Sequence, residues 1–266
     1  KMSKSLRNSP DPIEMMERYG ADAVRFSLIY LTPTGQDLLF DEKRLETGKF
    51  FANKVWNAAR LVQMRLGDED LAKVRESSLR LTLADRWILS RYANAVKNVT
   101  RNLKTYRFNE AANALYQFAW AEYCDWYLEM AKPRWADDAD PADRATARWV
   151  SWKVLDGILR LLHPFMPFMS EEIWQALPHD GESLATAGWP RAKKAWFDAE
   201  TERQVGFLQE LVVAVRNLRA ENKVAPGRPV PVLVRGEPAQ LDLVEKLADQ
   251  IRPLARIESL TLARDG

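Results

Sequence analysis

Lys1-Met2-Ser3-Lys4-Ser5 places two cations and two hydroxyls within five residues, and Arg7 adds a third cation. No acid occurs before Asp11, so nothing nearby in sequence neutralises the group. Ammonium charges on flexible stems, together with hydroxyl donors, suit negative charge that develops on phosphate oxygens during phosphoryl or nucleotidyl chemistry. The same run also reads as a short solvated basic segment. Five residues alone do not separate the two readings.

A second constellation follows Asp41. Lys49, Asn53, Asn57 and Arg60 are spaced by four, four and three, so a helix would carry them on one face. Leu45, Ala52, Val55, Ala59 and Val62 form the opposing apolar stripe, and Lys43, Arg44, Lys54 and Arg65 add charge at the edge. Cations hold phosphates, while amides and guanidinium groups read or stack on unstacked bases, so the ridge suits RNA. Phe50, Phe51 and Trp56 could add stacking faces, although most of them belong in a core. An ordinary solvated helix face is the competing reading. Arg216, Arg219 and Lys223 make another basic face, which solvation explains more simply than phosphate contact.

Other reactive residue types carry less. Phe118, Trp120, Tyr123, Cys124, Trp126 and Tyr127 read as inter-helix packing with partnered hydroxyls and indoles. Cys124 has no His or second Cys nearby, so no metal site and no thiol nucleophile is expected. His163 before Pro164 and His179 in the turn Pro178-His179-Asp180-Gly181 have no nucleophile partner. Glu171-Glu172 reads as a carboxylate pair welcomed by the dipole at a helix start. No Gly-x-x-x-x-Gly-Lys loop is present.

These residues must be positioned by helices. Asp11-Pro12-Ile13-Glu14 is a helix start with a capping box, and Gly20 ends that helix. A second short helix spans 21–31. Long amphipathic helices are expected over about 41–66, 83–104, 109–132, 143–163 and 170–177. Thr82 with Asp85, then Asn109 and Ser170, are read as N-caps. Beyond Trp189-Pro190 come a helix over about 199–222, a strand over 230–235, a helical stretch over 241–251 and a strand over 257–262. The expected fold is mainly α: residues 1–36 as a loop and stem-contact segment, 37–190 as an antiparallel helical bundle, and 195–266 as a small C-terminal α/β appendage. The formal net charge is only +2, so any nucleic-acid footprint must be local. A hydrophobic content of 47% supports a sizeable core. One cysteine permits no internal disulfide, which fits a reducing compartment. No apolar run approaches the roughly 18 residues that a membrane span needs.

The run at residues 1–5, then Asp11-Pro12 and Tyr19-Gly20-Ala21-Asp22-Ala23-Val24-Arg25-Phe26, resembles the class I aminoacyl-tRNA synthetases for valine, isoleucine and leucine. Gly35-Gln36-Asp37 and the run from Phe51 to Arg60 resemble the valyl-tRNA synthetases within that class. So do Glu122 to Glu129, His163 to Phe168 and Val215 to Glu221. The resemblance covers almost the whole chain.

It implies that Lys1 and Lys4 serve the activation of valine by ATP, with Mg2+, and that Ser3, Lys4 and Ser5 contact ATP. It implies that residues 37–190 bind the anticodon of tRNA(Val), with Lys43, Arg44, Lys49, Asn53, Asn57 and Arg60 near it. It further implies a cytoplasmic, monomeric protein with no membrane contact. Arg7 stands where the family usually has Gly, a residue that would let the loop turn, so the family's loop path is not carried over to this sequence. The His-x-Gly-His element that cradles ATP is absent, since neither histidine has that context. The sequence is therefore expected to be part of a longer enzyme, with no bound cofactor and no activity in isolation. An isoleucyl-tRNA synthetase fragment and a stand-alone tRNA-binding module are the alternatives.

Overall fold

The computed structural model describes residues 10–33, 35, 40–67 and 71–264. Lys1, Ser3, Lys4, Ser5 and Arg7, and the Gln36-Asp37 pair, lie outside the described residues. The chain divides into two compact units, one ending at Phe197 and one starting at Asp198.

In the first unit, α1 (Pro12–Tyr19) starts where the Asp11 carboxylate accepts the Ile13 N–H at 2.9 Å. Gly20 has φ +92° and both closes α1 and opens α2 (Ala21–Leu31). The helix expected over 41–66 is a 3-10 turn (Glu42–Leu45) followed by α3 (Glu46–Gln63). The Asp41 carboxylate takes the Lys43 N–H and tightens that first turn. Behind it, α2 and α3 approach closely at Gly48. The Gly48 N–H donates to Ser27 Oγ at 3.0 Å, and that hydroxyl donates to Leu45 O at 3.2 Å. Phe26 and Phe51, both fully buried, pack with ring centroids 4.8 Å apart.

The bundle continues with α4 (Leu83–Lys104), opened by the full capping box of Thr82 and Asp85. Next come α5 (Phe108–Gln117), a π-helical stretch (Phe118–Tyr127) and α6 (Leu128–Ala131). The sequence suggested one α-helix over 109–132. However, the buried pairs 118/119, 123/124 and 127/128 recur every four to five residues. That repeat is longer than the α-helical 3.6 and fits i→i+5 bonding, as in the Leu128 N–H bond to Tyr123 O. Asn109 is not the cap expected of it: Arg107 precedes the helix, and the Asn109 amide instead donates to the Ile29 and Tyr30 carbonyls at the end of α2.

α7 (Pro141–Leu162) begins two residues earlier than the sequence suggested, because Asp140 caps it and Pro141 takes the first position. α8 (Pro167–Gln175) begins at its proline for the same reason, which leaves Ser170 inside the helix rather than at its cap. The cap is supplied from elsewhere. Buried Asp22 on α2 accepts the Phe168 N–H at 3.4 Å and the Met169 N–H at 2.6 Å. One turn along, the Arg25 guanidinium donates to the Pro164 and Phe165 carbonyls. Across the bundle, Asp85 is fully buried and receives two bonds from Arg134 and one from the Tyr127 hydroxyl.

The second unit contains α9 (Ala199–Glu221), β1 (Val230–Gly236), α10 (Pro238–Lys246), α11 (Ala248–Ala255) and β2 (Ile257–Arg264). The two strands pair in parallel, which requires the helical crossover between them. The helix expected over 241–251 is two helices that meet at Leu247. Arg216 donates to Leu254 O, and Arg219 to the carbonyls of Ala225, Pro226 and Arg256. These two guanidinium groups tie α9 to the loop that follows it and to the end of α11, a role beyond the solvated face expected for them.

Candidate nucleic-acid interface

α3 presents the predicted ridge to solvent. Lys49, Asn53, Asn57 and Arg60 are all exposed, while Leu45, Val55, Ala59 and Val62 are buried and Ala52 half-buried. Gly48, Phe51 and Ala58 join the buried side. The helix is therefore positioned by one apolar face against α2 and its neighbours, and the amide and cation face is left free to meet a ligand.

Along the ridge the environment changes. At the α1 end, Lys49 Nζ stands 6.0 Å from the Tyr19 ring centroid, a cation–π distance. The Tyr19 hydroxyl donates to Glu42, whose carboxylate also pairs with Arg18. Lys43 and Arg44 are exposed in the preceding 3-10 turn. Lys54, at the edge, is diverted to Asp125 and over the Trp120 ring.

At the far end, α3 and α8 enclose a pocket of about 200 Å³, lined by Trp56, Ala59, Arg60, Gln63, Glu172, Ile173, Ala176 and Leu177. Gln63 closes one wall by donating to Ala176 O at 3.1 Å. Trp56 is exposed to 39%, so part of its ring is available. Arg60 and Glu172 are both exposed and line the same space, yet among the described residues they form no ion pair with each other. A planar group entering there would meet donors from one helix, a carboxylate from the other and an indole beside it. That is the equipment for an unstacked base.

Glu172 and Gln63 were not singled out for this role in the sequence. The Glu171-Glu172 pair does not sit at a helix start as its sequence suggests: α8 starts at Pro167 and no acid falls in its first turn. The two carboxylates have separate tasks. Glu171 accepts bonds from Gln175, Ser183 and the Leu184 N–H. Burial opposes ionisation slightly, but these bonds, with the His163 charge, hold its carboxyl below the usual range. Glu172 is left facing the pocket.

The remaining reactive types are structural. His163 Nδ1 lies 2.9 Å from Ser170 Oγ, and His179 Nδ1 lies 2.7 Å from Leu177 O. Tyr123 donates to Ser151 O within the core. Burial pushes the Cys124 thiol up to about 12, against the nearby Lys54 charge that lowers it. Among the described residues no helix is long and apolar enough to cross a membrane.

A family model described as the anticodon-binding domain of tRNA ligase matches residues 85–234, more than half of the chain. The chain belongs to this anticodon-binding family. A model of class I tRNA synthetases (I, L, M and V) matches residues 1–41. Valine–tRNA ligases of Fusobacterium nucleatum and Bacillus cereus are each 42% identical over the whole chain. That of Geobacillus stearothermophilus is 43% identical over 88% of it. The chain spans about 30% of the length of the first two relatives and 26% of the third.

Among solved structures, a ternary complex of an Agrobacterium radiobacter LeuRS with tRNA and LeuAMS matches 75% of this chain and 23% of its own. The TM-score is 0.57 at 23% identity, which speaks to the shared fold alone. The α3 ridge falls between the two family matches, but inside the full-length similarity to the valine ligases.

Proposed function

We propose that this chain is the anticodon-recognising part of a valine–tRNA ligase and that it binds tRNA(Val) through α3 and α8. The observation that carries the reading is the exposed Lys49, Asn53, Asn57, Arg60 ridge ending in the Trp56–Arg60–Glu172 pocket. Cations along the ridge take backbone phosphates, and the pocket takes one splayed base of the anticodon loop. Lys43 and Arg44 extend the phosphate track toward α1. The full-length similarity to valine ligases supports valine over isoleucine.

In the whole enzyme, valine and ATP with Mg2+ would be the substrates of activation. Lys1 and Lys4 would meet charge on the departing pyrophosphate, with Ser3 and Ser5 as donors. Monomeric action in the cytoplasm belongs to the same reading, and the single unpaired cysteine accords with it. Binding to tRNA transcripts with valine and isoleucine anticodons tests the proposal. Tighter, salt-sensitive binding of the valine transcript is expected, and equal binding of both would end it.

A further inference from the structure

A second groove lies on α4, away from the α3–α8 pocket and sharing no residue with it. Its volume is about 610 Å³. Val96, Pro190 and Ala192 help to form an apolar floor, and Trp189 stands on one side. The Trp189 indole N–H donates to Thr100 Oγ1 at 2.9 Å, which pins the ring to α4 while 38% of the residue stays exposed.

The rim is basic. Lys97, Arg101 and Lys104 follow one another at helical spacing along about 10 Å of α4, and Arg191 faces them from the strap after α8. All four are exposed, and no acidic side chain among the described residues lines the groove. The chain around them is depleted of acids: none occurs from Arg86 to Asn109, nor from Ser183 to Phe197. In a protein of net charge +2, this is a local concentration of positive charge.

We infer that this groove binds a single-stranded stretch of RNA, with Lys97, Arg101, Lys104 and Arg191 on the phosphates and one base stacked on Trp189. Charge complementarity demands a polyanion. The immobilised indole selects among polyanions, because every base offers a π face whereas an acidic peptide offers carboxylates. Such a site tolerates any sequence. It would hold RNA without depending on which anticodon the α3 surface prefers.

The test is titration of the 266-residue chain with an end-labelled oligouridylate at several salt concentrations. Wild-type protein should bind, with a log–log salt slope of about −0.7 per phosphate contacted. The triple variant Lys97→Gln, Arg101→Gln, Lys104→Gln should flatten that slope by about 2. Trp189→Ala should weaken binding about tenfold, and Trp189→Phe should retain most of it. Far-ultraviolet circular dichroism and the thermal midpoint check that each variant folds; the three exposed Lys/Arg→Gln changes leave the core intact.

An unchanged slope in the triple variant overturns the inference. So does loss of oligouridylate binding on Arg60→Ala with the α4 variants unaffected, since that places the strand on α3. Displacement of RNA by polyglutamate, with Trp189→Ala indifferent, makes the groove an acidic-protein surface and also overturns it. Failure of valine-anticodon discrimination would leave these readouts untouched, so the two proposals fail separately.

Discussion

Arg60 on α3 and Glu172 on α8 line one small pocket, and the two opposite charges do not pair with each other. Space between unlike charges, next to a partly open Trp56 ring, is what a hydrogen-bonding planar ligand would occupy. Arg60→Ala should weaken binding of the valine transcript by about 1–3 kcal/mol. Because Arg60 is exposed, the thermal midpoint should barely move. Glu172→Gln should likewise relax discrimination between bases, since a carboxylate accepts from base amino groups such as cytosine N4. A midpoint that drops sharply on Arg60→Ala would make that residue structural.

Gly48 offers a test of how α2 and α3 are held together. A Cβ built there would sit 2.3 Å from Ala23 O and 2.6 Å from Ser27 Oγ. Helix propensity alone favours Ala over Gly by about 1 kcal/mol. The clash is with a backbone carbonyl, which cannot swing aside, so packing should reverse that sign. Gly48→Ala is expected to destabilise by about 1–3 kcal/mol and to lower the thermal midpoint by several degrees. A stabilised variant would show that the two helices separate easily.

Much of this arrangement was legible in the sequence because it depends on local pattern. The α4 boundaries follow from Thr82-x-x-Asp85 at one end and from the last apolar turn at the other. The solvent face of α3 follows from spacing alone. The π-helical stretch was not legible as such: its aromatic residues announce burial, but their four-to-five spacing gains meaning only against neighbouring helices. Nor was the partner of Asp22, since nothing in sequence pairs it with the N–H groups of Phe168 and Met169. The pocket required two helices more than a hundred residues apart to meet, so Glu172 could not be assigned before Arg60 faced it. The helices at Pro141 and Pro167 start two and three residues before the apolar periodicity begins, because each proline occupies a first helical position that carries no periodic signal.

Cys124 supplies a pH prediction. Burial raises its thiol from an ordinary value of 9.0 to about 12, so the folded state favours the protonated form. The folded chain then binds more protons than the unfolded chain between those values, and stability falls as pH rises through that window. Below about pH 9 the contribution is constant. Wild-type protein should therefore lose stability more steeply than Cys124→Ala from pH 9 upward, as measured by denaturant midpoints at each pH. A thiol reagent should label Cys124 slowly in native protein and rapidly after unfolding. Parallel curves for the two proteins, or fast native labelling, would contradict the buried placement.

The central claim is that α3 and α8 read an anticodon. The most direct measurement is the dissociation constant of this chain for two transcripts that differ only in carrying a valine or an isoleucine anticodon, at matched salt. The account predicts tighter binding of the valine transcript and loss of that preference on Arg60→Ala, with phosphate-driven salt dependence retained. Equal affinity for both transcripts, or a preference that survives Arg60→Ala with Glu172→Gln, would contradict it.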